Sequence, residues 1–290
     1  MRLSRRRLLA LAAGTAAGLM AACGSPAPPR PASSDAARAD RGSKPADLWN
    51  GPGVDARVLF QREVDKLPEA PYLLRVTELE MAPGATIDPH FHLGPGAQVV
   101  LSGAFTVVDP QTSAPEVYES TPTTPFAVYY TGLNTRYSTE NRSAASNRLF
   151  MTEILPRNRG FLGNQQFDSD GVTHNQGGVR SGPYLQVPID RLPDSLLVVR
   201  VTQIDMGPKS KTPEYTRPGP GLFCVASGQG TFRRQAALSI VTNGAGGYFF
   251  EDGSEPIILE NKPITPNRIV AVEFLPASLG KQPSTVPTGQ

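Results

Sequence analysis

The chain repeats itself, and the repeat limits what it can fold into more tightly than any other feature. Shifted by 125 positions, Asp65-Lys66-Leu67-Pro68 falls on Asp190-Arg191-Leu192-Pro193. Without a gap, Leu73-Leu74-Arg75-Val76-Thr77-Glu78-Leu79-Glu80-Met81 falls on Val198-Val199-Arg200-Val201-Thr202-Gln203-Ile204-Asp205-Met206. In the same register Gly94-Pro95-Gly96 meets Gly219-Pro220-Gly221, and Ser102-Gly103 meets Ser227-Gly228. Later the offset settles at 120, where Asn147-Arg148, Glu153 and Pro156 meet Asn267-Arg268, Glu273 and Pro276. A register this long requires a duplicated unit of about 100 residues.

Each copy reads as β. Val76, Leu79 and Met81 stand among polar neighbours, as do Val201, Ile204 and Met206, which gives alternation over strand-length stretches. Turn signals follow at short intervals: Pro83-Gly84, Gly94-Pro95-Gly96, Asp109-Pro110, Thr131-Gly132 and Asp252-Gly253. With 28 Gly and 29 Pro in 290 residues, the composition favours many turns over long helices. Many short strands so punctuated predict a sandwich or barrel in each copy.

The chemistry-bearing stretch is Gly84 to Gly103, GATIDPHFHLGPGAQVVLSG, which holds two of the three histidines, His90 and His92. Residues i and i+2 of a strand share a face, so the two imidazoles can converge on one ion. The spacing Gly84, His90-x-His92, Gly103 resembles the first motif of the cupin superfamily, whose barrels are jelly rolls. The resemblance implies an all-β protein of two tandem cupin jelly-roll barrels, a bicupin, over residues 55–157 and 183–277, with a connector at 158–182. The motif's glutamate position is held by Gly96.

A cupin ion is held by the two histidines and glutamate of the first motif and a histidine of a second. In the first copy the second motif falls within Tyr129–Asn141, which has no histidine. Anchored on Gly132, the ligand position is Thr135; anchored on Asn141, it is Tyr137. Gln98 lies two residues beyond the missing glutamate, on the same strand face, and offers an amide oxygen. The expected ligand set is therefore His90, His92, Gln98 and Tyr137, with Mn, Fe, Ni or Zn as the divalent metal. The alternative is no metal, with the histidines hydrogen-bonded inside a closed barrel. In the second copy His90 and His92 map to Tyr215 and Arg217. A guanidinium repels cations, so Tyr215 and Arg217 are assigned instead to an anionic or sugar-like ligand. His174, in Gly171–Gly178, is expected to be a solvated loop residue.

Residues 1–22 have a basic start, an apolar run Leu8–Ala22 and a small-residue exit, the three parts of an export signal. Ser4-Arg5-Arg6-Arg7-Leu8-Leu9 resembles the twin-arginine motif, and Leu19-Met20-Ala21-Ala22-Cys23 resembles a bacterial lipobox, which implies acylation of Cys23. Residues 23–54, rich in Pro, Ala, Ser and Gly, read as a flexible tether, and 278–290 as a disordered tail. Cys224 is the only other cysteine, so no intrachain disulfide is expected; its apolar surroundings predict a buried thiol.

Arg2, Arg5, Arg6 and Arg7 account for more than the net charge of +2, so the exported part is mildly acidic and nucleic-acid binding is excluded. No phosphate loop or Gly-x-Ser-x-Gly elbow is present, and three histidines leave little material for a triad. The expectation is a membrane-anchored extracytoplasmic bicupin lipoprotein that binds a small ligand or serves an envelope role without catalysis. The alternatives are a metal-dependent dioxygenase, decarboxylase or isomerase using His90 and His92, and a purely structural lipoprotein. The expected partners are the membrane, a small molecule and, because cupins often pair through edge strands, a second copy of the chain.

Overall fold

The computed structural model describes residues 51–109, 114–159, 177–190, 192–193, 196–234, 239–279 and 286–287. The signal segment, Cys23, nearly all of the tether, His174 and much of the connector lie outside the described residues. Among those described there is no α-helix, only strands and two short 3-10 turns.

The first copy contributes β1 (Val54–Glu63), β2 (Tyr72–Met81), β3 (Thr86–Phe91), β4 (Gly96–Ser102), β5 (Ala104–Val108), β6 (Pro115–Glu119), β7 (Ala127–Thr131), β8 (Arg136–Glu140) and β9 (Asn147–Pro156). The second contributes β10 (Val179–Ile189), β11 (Leu197–Met206), β12 (Tyr215–Thr216), β13 (Gly221–Ser227), β14 (Gln229–Arg234), β15 (Ser239–Gly244), β16 (Tyr248–Glu251), β17 (Ile257–Glu260) and β18 (Asn267–Pro276). A short β19 (Val286–Pro287) closes the series. The fold is all-β, with two jelly-roll barrels of two sheets each. One barrel has the sheets β10-β2-β9-β4-β7 and β3-β8-β5-β6; the other has β1-β11-β18-β13-β16 and β15-β14-β17-β12-β19.

The leading strand of each copy crosses to the other barrel. β1 runs antiparallel to β11, from Val54 opposite Met206 to Glu63 opposite Val198. β10 does the same with β2, from Val179 opposite Met81 to Ile189 opposite Tyr72. Residues 54–63 therefore complete the sheet of the second copy, and 179–189 complete that of the first. The exchange is reciprocal and sets Gln61 opposite Arg200 and Gln186 opposite Arg75.

Three apolar clusters result. One lies inside the first barrel around Phe105, Tyr137 and Leu149, and a second inside the other barrel around Phe223, Phe232 and Phe249. The third lies between the barrels and joins Leu74, Val76, Val99 and Phe150 to Val199, Val201, Leu222, Val272 and Phe274. The large sheets are thus covered on both faces. This explains why Val99–Leu101 and Leu222–Val225 read as continuous apolar runs while other strands alternate. Cys224 sits in the inter-barrel cluster, as its apolar neighbours predict, and burial pushes its thiol up to about 12.

Candidate functional site

The interior of the first barrel is organised by one row of residues across its large sheet. Gln186, Arg75, Glu153 and Gly96 stand directly opposite one another on β10, β2, β9 and β4. Glycine on β4 is a steric requirement of this row. A Cβ at Gly96 would lie 2.2 Å from the Thr152 carbonyl oxygen and 3.0 Å from Glu153 Cγ. The motif's glutamate has no room on β4, and a carboxylate enters from the facing position on β9 instead. Gly103 closes the motif with a φ of 74°, the left-handed conformation that glycine adopts without penalty, in the turn from β4 to β5.

Glu153 is fully buried and joins two partners: Arg75 Nη2 donates to Oε2 at 2.8 Å, and His92 Nδ1 lies 2.5 Å from Oε1. Burial pushes its carboxyl up, but the charges and hydrogen bonds of Arg75 and His92 prevail and hold it at about 2. An ionised Glu153 makes His92 Nδ1 the donor, and in the neutral imidazole this leaves Nε2 to accept. The Tyr137 hydroxyl donates to Nε2, and its oxygen accepts from the Gln98 side-chain amide. The donors and acceptors that link Gln98, Tyr137, His92 and Glu153 are mutually consistent. Burial keeps the Tyr137 phenol well above its ordinary value, so it is neutral.

The structure gathers all four sequence-predicted residues of this barrel. His92, Gln98 and Tyr137 share the hydrogen-bonded chain, and His90 on β3 pairs with Tyr137 across the ladder, ring centroids 5.0 Å apart. Of the two alternatives for the second motif, Tyr137 is the residue that reaches the site. His90 Nδ1 donates to the Asp88 carbonyl at 2.9 Å; burial, with His92 nearby, lowers its imidazole to about 4. Arg75 and Glu153 were missed as site residues. The signal was available, since each is a charge inside an apolar strand and each recurs in the second copy, as Arg200 and Glu273.

The second barrel keeps the row and changes its contents. Gln61, Arg200, Glu273 and Gly221 stand opposite one another on β1, β11, β18 and β13. Arg200 Nε donates to Gln61 Oε1 at 3.0 Å, so the exchanged strand serves the buried network directly. Arg217, in the place of His92, is fully buried, pairs with Glu273 at 2.9 Å and lies over the Phe223 ring at 4.8 Å. A Cβ at Gly221 would fall 2.0 Å from Arg217 Nη2, so the guanidinium fills the space beside the glycine. Tyr215 is buried in the same interior cluster.

Little space is left in the first barrel. A cavity of about 30 Å³, lined by His90, His92, Gln98, Phe105, Tyr137 and Thr139 among others, has room for a few waters at most. Organic ligands take pockets roughly ten times larger. A groove of about 680 Å³ lies on the outside of the second barrel beside Asp55, Asp205, Asn267 and Arg268, and contains none of the predicted site residues. Among the described residues no group of three His, Cys, Asp or Glu side chains is placed to hold a metal ion. The divalent ion implied by the cupin resemblance does not fit this donor set. Both nitrogens of His92 are engaged and both oxygens of Glu153 are shared with His92 and Arg75, so an ion would have to displace one of them.

No protein-family model matches the sequence, and no curated protein is similar to it. Solved structures do resemble it in fold. An oxalate decarboxylase of Lactobacillus farciminis, in a formate complex, is 12% identical, with a TM-score of 0.51 over 81% of this chain and 86% of that one. Vicilin from Capsicum annuum is 13% identical, with a TM-score of 0.47 over 69% and 75% of the two chains. Salicylate 1,2-dioxygenase of Pseudoaminobacter salicylatoxidans, as a mutant, is 10% identical, with a TM-score of 0.43 over 69% and 70%. The likeness to the decarboxylase is one of fold alone.

Proposed function

We propose that the protein is a lipid-anchored extracytoplasmic bicupin that works without catalysis, its two barrels forming a closed framework in the cell envelope. The observation that carries this reading is the occupation of the first barrel's centre by the chain Gln98–Tyr137–His92–Glu153–Arg75, which leaves room for a few waters at most. In the second barrel Arg217 and Glu273 fill the corresponding place. Such a protein meets its partners with its outer surface. The anchor rests on the lipobox-like run ending at Cys23 and the export signal before it. A diacylglyceryl group on Cys23 holds the chain to the membrane at about 0.8 kcal/mol per buried methylene.

The test has two arms. Cells expressing the full chain are labelled with a radioactive fatty acid, and label on the native protein but not on Cys23→Ala supports the anchor; equal label on both removes it. The purified protein is then soaked with divalent metals and with small carboxylates and sugars, and binding is followed by calorimetry. No heat of binding supports the closed framework, and saturable binding inside either barrel contradicts it. The metal enzyme keeps one specific observation in its favour: His90 and His92 flank the residual cavity together with Gln98 and Tyr137.

A further inference from the structure

We propose that Tyr118, Tyr129 and Tyr137 form a relay that carries oxidising equivalents from the surface of the first barrel to a redox-active tyrosine at its centre, Tyr137. The three rings form a continuous path. Tyr137 on β8 meets Tyr129 on β7 with centroids 5.3 Å apart, and Tyr129 meets Tyr118 on β6 at 5.1 Å. β6 is the outer strand of its sheet, and Tyr118 is half-buried there beside the exposed Val117. The path thus runs from solvent to a residue that is 1% exposed.

A tyrosine gives up an electron readily only when a base takes its phenolic proton in the same event, because the protonated radical is a very strong acid. Both ends of the path have such a base within hydrogen-bond reach. Tyr118 donates its hydroxyl hydrogen to Glu116 Oε2 at 2.5 Å. Tyr137 donates to His92 Nε2, and the opposite nitrogen of that ring is held by the ionised Glu153, which raises the imidazole's basicity and stabilises the imidazolium once formed. The Gln98 amide, donating to the phenolic oxygen, fixes the oxygen's position.

The second copy provides an internal contrast. Where the relay has Tyr129 and Tyr137, it has Phe249 and Ile257; where the first copy has His92 and Gln98, it has Arg217 and Phe223. An oxidisable phenol, its proton acceptor and its oxygen's donor are thus all present in one barrel and all absent from the equivalent places in the other.

The step balances as a one-electron transfer. A one-electron oxidant in the surrounding medium, of the peroxyl-radical class, takes an electron from Tyr118 as the Tyr118 proton passes to Glu116. The Tyr118 radical regains an electron from Tyr137 through the Tyr129 ring, which keeps its own proton, and Tyr118 recovers its proton from Glu116. Tyr137 is left as a neutral tyrosyl radical, with its proton on His92 Nε2. A one-electron donor of the thiol or ascorbate class reverses the sequence. No bond between heavy atoms forms or breaks, and the site serves as a store for a single oxidising equivalent. The relay does not depend on the lipid anchor or on the absence of catalysis.

The experiment is flash oxidation of the full chain by photogenerated ruthenium(III) tris-bipyridine, with electron paramagnetic resonance on rapidly frozen samples. With nitrogen-isotope-labelled histidine, the native protein is expected to give a tyrosyl signal coupled to an imidazole nitrogen. The coupling is lost in Tyr137→Phe, and the coupled signal forms more slowly in Tyr129→Leu. A native radical with no histidine coupling overturns the proposal, as does a coupling that survives Tyr137→Phe. Formation at the native rate in Tyr129→Leu removes the relay. If Tyr137→Phe does not fold, the coupling in the native protein still decides the matter.

Discussion

Replacing Glu153 by Gln tests the buried network where it carries the most charge. The substitution keeps the side chain's shape and leaves one acceptor oxygen where there were two. Arg75 Nη2 and His92 Nδ1, now at 2.8 and 2.5 Å from separate oxygens, cannot both be served. One buried donor is stranded and the Arg75 charge loses its counter-ion at a site buried from bulk solvent. Breaking a buried ion pair from one side costs about 3–5 kcal/mol, a large part of the 5–15 kcal/mol that holds a typical protein folded. An independent route gives a similar figure. A carboxyl moved from 4.5 to about 2 on folding contributes about 3 kcal/mol once the pH exceeds the unfolded value. Because the folded value is the lower one, that contribution is complete above about pH 5 and is lost as the pH falls from 4.5 toward 2. Urea denaturation at neutral pH is expected to show the unfolding free energy lowered by this amount, read as a lower midpoint at an unchanged slope. Arg75→Met combined with Glu153→Gln is expected to recover most of the loss, since the stranded charge is removed. A loss below about 1 kcal/mol in Glu153→Gln, or a double variant no better than the single one, would refute the account of the pair.

Three further outcomes follow from the same geometry. His90 is buried neutral with its imidazole lowered from 6.5 to about 4, so the unfolded chain binds a proton first and stability falls as the pH drops from 6.5 to 4; His90→Gln is expected to flatten the denaturation midpoint over that range. Gly96→Ala sets a methyl 2.2 Å from the Thr152 carbonyl oxygen, so a loss of about 3 kcal/mol is expected in the same assay, and a neutral result contradicts the close approach of β4 and β9. A fragment spanning 66–190 keeps β10 on the edge of β2, whereas 55–157 lacks that strand and carries β1 without its partner β11; the first is expected to be the more soluble and the more resistant to protease, and the reverse order contradicts the strand exchange.

Much of the fold was legible because duplication and turn punctuation are properties of local sequence. Arg75–Met81 and Arg200–Met206 declare equivalent strands without any knowledge of what they pair with. The strand exchange was not legible, for a physical reason. β1 and β10 are themselves repeats, with Val54 matching Val179 and Gln61 matching Gln186, so either pairing presents the same groups to the neighbouring sheet. The histidine cluster was found through its spacing, and Gln98 and Tyr137 lie beside it in a hydrogen-bonded chain to His92. Its carboxylate was sought on β4, at the position of Gly96, whereas the ladder delivers it from the residue directly opposite, Glu153 on β9. Register between strands 57 positions apart in the chain is a tertiary fact, and nothing local to Gly96 encodes it. Arg217 reads as a charge placed to meet a ligand; in the folded protein it lies 2.9 Å from Glu273 and over the face of Phe223, with no hydrogen bond from its guanidinium nitrogens among the described residues.

The central claim is that the first barrel's centre is closed by its own side chains, with Tyr137 and Glu153 holding the two nitrogens of His92. The most direct test is elemental analysis of the full chain, purified without a metal-affinity tag, beside His90→Ala/His92→Ala. The account predicts divalent metal far below one equivalent in both proteins. Near-stoichiometric metal in the native chain that disappears from the double variant would contradict it.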